Sequence, residues 1–238
     1  MNPSAIFFDA VGTLIHPNPP AVHVYAQFGK EYGTRRDLAV IADRFREAFQ
    51  AEEDVDGRSG LVTNEEREKR RWRNIVAHVL DDVREPEACF TAIYDHFARP
   101  GAWVCDPAAE MVLRSLSERG YRIGLASNYD HRLRSVQKGL EPLRFIQHLV
   151  ISSEVGFRKP APEFFQEVCR AVDLPAQAIL FVGDDRSNDF EGALRAGLGA
   201  LLLDPRGHEP LLGRKRLQSL EELILLGPQS GETLSGFV

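Results

Sequence analysis

From Tyr121 to Leu203, short apolar runs alternate with amphipathic stretches, and that alternation limits the fold more than any other feature of the chain. Strands are predicted over 121–126, 148–151, 178–182 and 200–203, with helices over 130–139, 162–172 and 189–196 between and after them. Asp106-Pro107 reads as a cap and first-turn proline opening a further helix that Gly120 ends. Strand and helix in strict turn require a parallel sheet covered by helices on both faces. Near the N-terminus, Ile6-Phe7-Phe8 has the length and composition of one more buried parallel strand. The predicted fold class is therefore α/β, with a Rossmann-like parallel sheet.

This pattern is interrupted once. His16-Pro17-Asn18-Pro19-Pro20 breaks the first unit and reads as a hinge, and a second joint falls at Arg99-Pro100-Gly101. Between them the periodicity is helical: Ala21, Tyr25, Phe28 and Tyr32 share one face, and Leu38, Ile41, Phe45 and Phe49 another. Thr63-x-x-Glu66 reads as a capping box for a third helix carrying Trp72, Ile75, Val76 and Val79, and 88–97 gives a fourth. The run Arg67 to Arg73, interleaved with glutamates, reads as a solvated helix face. The expected organisation is a core of residues 1–15 and 101–238 with an inserted helical domain of residues 16–100. Ser219-x-x-Glu222 is expected to cap a short last helix, and 227–238 to form a loose tail.

Composition excludes several classes of function. With 29 basic and 35 acidic residues, the net charge of −6 gives no electrostatic footprint for nucleic acid. No apolar stretch approaches the roughly 20 residues of a membrane span, and the first apolar run is too short for a signal peptide and is closed by Asp9. Cys89, Cys105 and Cys169 are odd in number and far apart, which suits a reducing interior. A cytoplasmic protein, monomeric or weakly dimeric, acting on a small molecule is expected.

Open α/β sheets bind ligands beyond the carboxyl ends of their strands, so four strand tips matter most. Asp9 ends the first run, where its carboxylate can attack a substrate covalently. Ser127-Asn128 ends the second, ahead of a helix start suited to an anion. Lys159, held near Pro160 and Pro162, follows the third. The fourth tip, Gly183-Asp184-Asp185-Arg186-Ser187-Asn188-Asp189, crowds three carboxylates that repel one another unless a cation lies among them; such oxygens suit Mg²⁺. Taken singly, each tip has a plainer reading: a helix cap at Asp9 and at Ser127, a solvated charge at Lys159, and a turn rich in capping residues at 184–189.

Together, Asp9-Ala10-Val11-Gly12-Thr13, Ser127-Asn128, Lys159-Pro160 and Gly183-Asp184 through Asp189 resemble the four motifs of the haloacid dehalogenase-like (HAD) hydrolase superfamily. The resemblance spans the core from Ile6 to about Asp204, and the helical insert resembles that superfamily's type 1 cap. It implies the strand order 5-4-1-2-3, Asp9 as nucleophile, and an aspartyl-phosphate intermediate. It further implies that Ser127 and the Asn128 backbone hold phosphoryl oxygens and that Lys159 neutralises charge on phosphate and Asp9. Mg²⁺ would be held by Asp9, the Val11 carbonyl oxygen and Asp184, with Asp189 and Asp185 in contact or through water.

One position departs from that pattern. Phosphatases of the superfamily carry a second aspartate two residues after the nucleophile, as general acid, and here that position is Val11. General acid–base help is worth about 10²–10⁴-fold. A Mg²⁺-dependent phosphohydrolase would need good leaving groups or a borrowed donor, for which His16 and then His23 are candidates. A haloacid dehalogenase shares the opening motif without the second aspartate, but the carboxylate cluster at 184–189 argues against it. Phosphonate hydrolysis would need a Schiff-base lysine in the cap, where the only lysines, Lys30 and Lys69, read as solvated, which argues against it. A catalytically weak phosphate- and Mg²⁺-binding module is the third alternative. The phosphohydrolase is the reading taken forward.

Overall fold

A computed structural model describes residues 3–225; the expected tail over 227–238 lies outside them. Strand β1 (Ala5–Phe8) has no solvent exposure at any of its residues, so its backbone must be paired on both sides. A tight turn follows, in which the N–H groups of Leu14 and Ile15 both donate to the Ala10 carbonyl at 2.9 Å. It leads into the short strand β2 (Ile15–Pro17). Four helices come next: α1 (Ala21–Glu31), α2 (Leu38–Arg58), α3 (Glu65–Val79) and α4 (Pro86–His96). Strand β3 (Trp103–Cys105) then pairs antiparallel with β2, setting Ile15 opposite Cys105 and Pro17 opposite Trp103. The proline-dense segment is therefore half of a two-stranded ribbon as well as a joint.

The remainder alternates: α5 (Ala109–Glu118), β4 (Arg122–Ser127), α6 (Arg132–Gly139), β5 (His148–Ile151), α7 (Ser152–Val155), α8 (Pro162–Val172), β6 (Ile179–Gly183). After a π-helical segment over Arg186–Glu191 come α9 (Gly192–Arg195), β7 (Gly199–Leu203), β8 (Arg216–Leu217) and α10 (Glu222–Leu225). The main sheet runs β5-β4-β1-β6-β7-β8, parallel throughout. The expected five-strand order therefore stands, with the two-residue β8 added at one edge. Alternate side chains serve opposite faces. Ile6, Phe8, Ile123, Leu125, Leu180 and Val182 pack with α5 and α6, whereas Phe7, Phe181 and Leu202 pack with Phe164, Phe165 and Val168 of α8.

The helical cap has an apolar cluster of its own around Ile41, Ile75, Val79 and Phe90. Two readings of its sequence are corrected. Asn64, not Thr63, caps α3, its side chain accepting from the Arg67 N–H at 2.8 Å, while the Thr63 hydroxyl donates to Glu68 at 2.8 Å. The Arg67–Arg73 face is only partly solvated. Glu68 and Arg71 are 2% and 1% exposed, because they lie two turns and one turn, respectively, before Ile75 on the stripe that faces inward.

These charges meet in one cluster. Arg67 pairs with Glu52 and Asp56 at 2.8 and 2.6 Å, and Arg71 pairs with Glu53 and Asp56. Arg158, from the loop before α8, reaches into the cap to Glu68, and to Glu53 and Asp56 at 3.3 and 3.4 Å. The same loop is strapped to the cap by main chain: Val62 bridges Phe157, Thr63 N–H donates to Gly156 at 2.9 Å, and Arg158 N–H to Leu61 at 2.9 Å. None of the described helices is long and apolar enough to cross a membrane. Removing one partner of a buried ion cluster leaves an uncompensated charge, at a cost of about 3–5 kcal/mol. Arg158→Ala is accordingly expected to lower unfolding stability by that order in urea denaturation, and an unchanged midpoint would show the cluster to be energetically idle.

Candidate active site

Four strand tips of the parallel sheet place their side chains around one point. Asp9 directly follows β1, its N–H donating to the Val182 carbonyl at 2.9 Å, so the neighbouring strand fixes its backbone. Its Oδ1 accepts from the Ser127 hydroxyl at 2.9 Å and from Lys159 Nζ at 2.6 Å. Among the described residues, no hydrogen bond falls on Oδ2. Asp9 is 6% exposed and faces a cavity of about 710 Å³ between core and cap. Its backbone is thus pinned, one oxygen is occupied, and the other is open.

Lys159 is the hub. Its buried ammonium bonds Asp9 Oδ1 and Asp189 Oδ1, each at 2.6 Å, and the Ala126 carbonyl at 3.2 Å. The Asn128 amide aligns that loop from both sides, accepting from Lys159 N–H at 2.7 Å and donating to the Lys159 carbonyl at 3.0 Å. In this structure the Asn128 side chain is thereby a positioning group. Asp184 follows β6, is exposed, and accepts from the Thr13 hydroxyl at 3.1 Å. Asp189 is buried and takes the Asp185 N–H on Oδ2 at 3.1 Å.

Two glycines make room for these carboxylates. At Gly12, with φ +97°, a Cβ would lie 2.3 Å from Asp184 Oδ2; at Gly183 it would lie 2.2 Å from Asp189 Oδ2.

Asp9, Asp184 and Asp189 each offer an oxygen within 4.8 Å of the others, and that set can hold a cation. Three carboxylates against one ammonium leave two negative charges, which fits a divalent ion. Among the described residues, no donor falls on the Val11 carbonyl, which leaves that oxygen open as a further ligand.

The electrostatics follow from this crowding. Although Asp184 is accessible as a residue, its carboxylate is desolvated against the packed strand tips, and that together with the neighbouring Asp9 charge pushes it up from 3.8 to about 6. Burial and Asp9 push Asp189 up to about 7, against the pull of Lys159. Burial works against the Lys159 charge, but Asp189 and Asp9 outweigh it and hold its affinity for the proton above the ordinary value.

Some sequence candidates lie elsewhere. His16 sits on β2 opposite Val104, outside the cavity wall, and His23 is exposed on α1. Asp185 lines the cavity, but its carboxylate is used locally, accepting from Asn188 N–H at 2.8 Å and from the Asn188 amide at 3.0 Å. Neither Lys30 nor Lys69 lines the cavity. Val11 does line it, partly buried, its side chain packed against the sheet's hydrophobic core.

Sequence reasoning missed polar residues facing the cavity, among them Arg71 and Tyr94 of the cap and Arg132 at the start of α6. Arg132 grips Asp130 through two bonds of 2.8 Å and donates to the Tyr94 carbonyl at 2.8 Å. The available signal for Arg71 was its place on the apolar stripe of α3.

The comparisons with known proteins agree with this geometry. The family model "haloacid dehalogenase-like hydrolase" matches residues 3–197, and the chain belongs to that family of hydrolases. Haloacid dehalogenase-like hydrolase domain-containing protein 3 of Mus musculus is 26% identical over 226 residues, covering 92% of this chain and 88% of the relative. A HAD phosphatase from Thermococcus onnurineus has the same fold, with TM-score 0.67 and 20% identity over 96% of this chain and 99% of that one. The L-2-haloacid dehalogenase of Xanthobacter autotrophicus superposes with TM-score 0.73 and 16% identity, over 94% of this chain and 98% of that one. Fold alone therefore does not separate phosphate from halide chemistry.

Asp184 and Asp189 make stability depend on pH. Each holds its proton in the folded state at pH values where the unfolded chain has lost it. Their contribution is fully present below 3.8 and is lost as pH rises through about 6 and 7. Without divalent cations, the melting temperature is expected to fall between about pH 5 and pH 8, and less steeply in Asp184→Asn. Millimolar Mg²⁺, which binds the ionised carboxylates, should raise it more at the higher pH. Equal Mg²⁺ shifts at both pH values would contradict the assignment.

Proposed function

We propose that this hydrolase is a Mg²⁺-dependent phosphohydrolase acting through an aspartyl-phosphate on a small phosphorylated molecule. The observation that carries the reading is the charge set at the strand tips, three carboxylates around one shared ammonium. A transferring phosphoryl group needs cationic surroundings, and a divalent ion together with Lys159 provides them. A halide leaving from carbon gives no reason to gather three carboxylates. Asp9, Asp184, Asp189 and the Val11 carbonyl oxygen would hold Mg²⁺, which when bound neutralises charge on the phosphoryl oxygens.

The chain's own residues account for the remaining steps. Asp9 Oδ2 attacks phosphorus; the bond from phosphorus to the leaving oxygen breaks, and its electron pair departs with that oxygen. Ser127 and the Asn128 backbone N–H hold phosphoryl oxygens, and Lys159 offsets charge on both Asp9 and phosphate. Water then attacks the phosphorus of the aspartyl-phosphate, releasing inorganic phosphate and restoring Asp9. At position 11 the valine side chain carries no proton to give the leaving group. Residues 16–100 act as a type 1 cap over a core of 1–15 and 101–238. Three free cysteines support a reducing, cytoplasmic setting, and the protein works as a monomer or weak dimer.

A C–halogen hydrolase is the second reading, favoured by Val11. Release of phosphate from acetyl phosphate and of chloride from L-2-chloropropionate, measured side by side with and without Mg²⁺, separates the two. Mg²⁺-dependent phosphate release, lost in Asp9→Asn, is the expected result. Chloride release would establish the second reading, and Mg²⁺ binding with neither product would establish a binding module.

A further inference from the structure

The cavity continues from Asp9 into the cap, and its far wall is aromatic. Phe45 and Phe49 of α2 stack with ring centroids 6.2 Å apart, and Trp72 of α3 lies 6.4 Å from Phe49. Tyr25 meets Phe45 edge-on at 5.0 Å. Phe49 remains 38% exposed, and Phe45 and Trp72 are only partly buried. Aromatic surface left uncovered inside a concave site, beyond the apolar cluster of the cap, is surface for a ligand to cover.

The charged groups that line the cavity beside these rings are already used. Arg71 is paired with Glu53 and Asp56, and its guanidinium lies 4.9 Å from the centre of the Phe49 ring. Glu68 is taken by Arg158 and Thr63, and Arg132 by Asp130 and the Tyr94 carbonyl. The Gln50 amide donates to Asp54 at 3.0 Å. A sugar or other polyol needs several convergent free donors and acceptors, and a second anionic group needs an unpaired cation. Among the described residues that line it, this wall leaves only the Tyr25 hydroxyl, the Trp72 indole N–H and the Gln50 carbonyl oxygen unengaged, and its cations are paired.

The third observation lies at the opposite end of the cavity. Val11 stands where a proton donor for the leaving oxygen would be needed, and neither His16 nor His23 lines the cavity. A leaving group must then depart as an anion that is stable by itself. A phenolate meets that need, and an alkoxide does not.

We propose, resting on the phosphohydrolase reading, that the substrate is an aryl phosphate monoester, whose neutral, planar ring system lies against Phe45, Phe49 and Trp72. Attack by Asp9 Oδ2 breaks the bond between phosphorus and the phenolic oxygen, the electron pair leaves with that oxygen as phenolate, and solvent protonates it. Hydrolysis of the aspartyl-phosphate consumes one water and returns the carboxylate.

The test compares kcat/KM for 1-naphthyl, phenyl, benzyl and acetyl phosphate in the full chain with Mg²⁺. Naphthyl against phenyl reads the cavity, because both leave as phenolates and differ in ring area; a gain of about tenfold is expected from the added apolar surface. Phenyl against benzyl reads the missing donor, because both carry one ring and only phenyl leaves as a phenolate; a ratio of about 10² or more is expected.

Two variants separate these effects from intrinsic reactivity. Trp72→Ala should reduce the naphthyl-to-phenyl ratio through KM, with Trp72→Phe recovering part of it. Val11→Asp should shrink the phenyl-to-benzyl ratio by raising benzyl turnover. Hydrolysis of acetyl phosphate with no naphthyl preference, or with equal phenyl and benzyl rates, overturns the aryl assignment while leaving the phosphohydrolase reading intact. No phosphate release from any of the four overturns both.

Discussion

The site depends on one ammonium. Lys159 Nζ lies 2.6 Å from both Asp9 and Asp189 in a buried setting, and without it two carboxylates would face each other across the strand tips. Like charges at such range in a poorly solvated site would drive one of them to bind a proton. Asp9 would then lose the partner that fixes its orientation. Sharing the cation holds Asp9 Oδ1 in place and leaves Oδ2 toward the cavity. The rest of the core serves that placement. β1 and β6 fix the Asp9 backbone, β4 delivers Ser127, and Asn128 clamps the main chain of Lys159.

That lysine is tied to the cap through its neighbour. Arg158 reaches away from the strand tips into the cluster of Glu53, Asp56 and Glu68, while the preceding loop is bonded to residues 61–63. The segment that carries Lys159 is thereby also a fastening between core and cap. A second fastening is Glu65, in the first turn of α3, which accepts from the His131 N–H at 3.0 Å and from the Ser153 hydroxyl. These contacts explain why charged side chains at Glu68 and Arg71 occupy positions that helical periodicity reserves for apolar ones.

The parallel sheet and its four tips were legible in the sequence because buried strands cannot disguise their composition. Ile6-Phe7-Phe8 is fully apolar, and Pro162 at a first helical turn sets the observed start of α8. The ribbon of β2 and β3 was not legible. Each strand has three residues, β2 ends in a proline, and the pairing is made across more than eighty intervening residues. The solvated reading of Arg67–Arg73 failed for a different reason. Charge normally marks an outward face, and the partners that make burial of Arg71 and Glu68 tolerable lie on α2 and in the Arg158 loop, remote in sequence. His16 as a proton donor also failed, because strand pairing on β2 puts it outside the cavity wall.

The central claim is that Asp9 takes up a phosphoryl group. The direct measurement is an acid quench during turnover of acetyl phosphate with Mg²⁺, followed by mass spectrometry of the peptide carrying Asp9. The account predicts one added phosphoryl group on Asp9, removed by hydroxylamine as an acyl phosphate must be, and absent in Asp9→Asn. Phosphate release with an unmodified Asp9 peptide, or with the label on another residue, would contradict it.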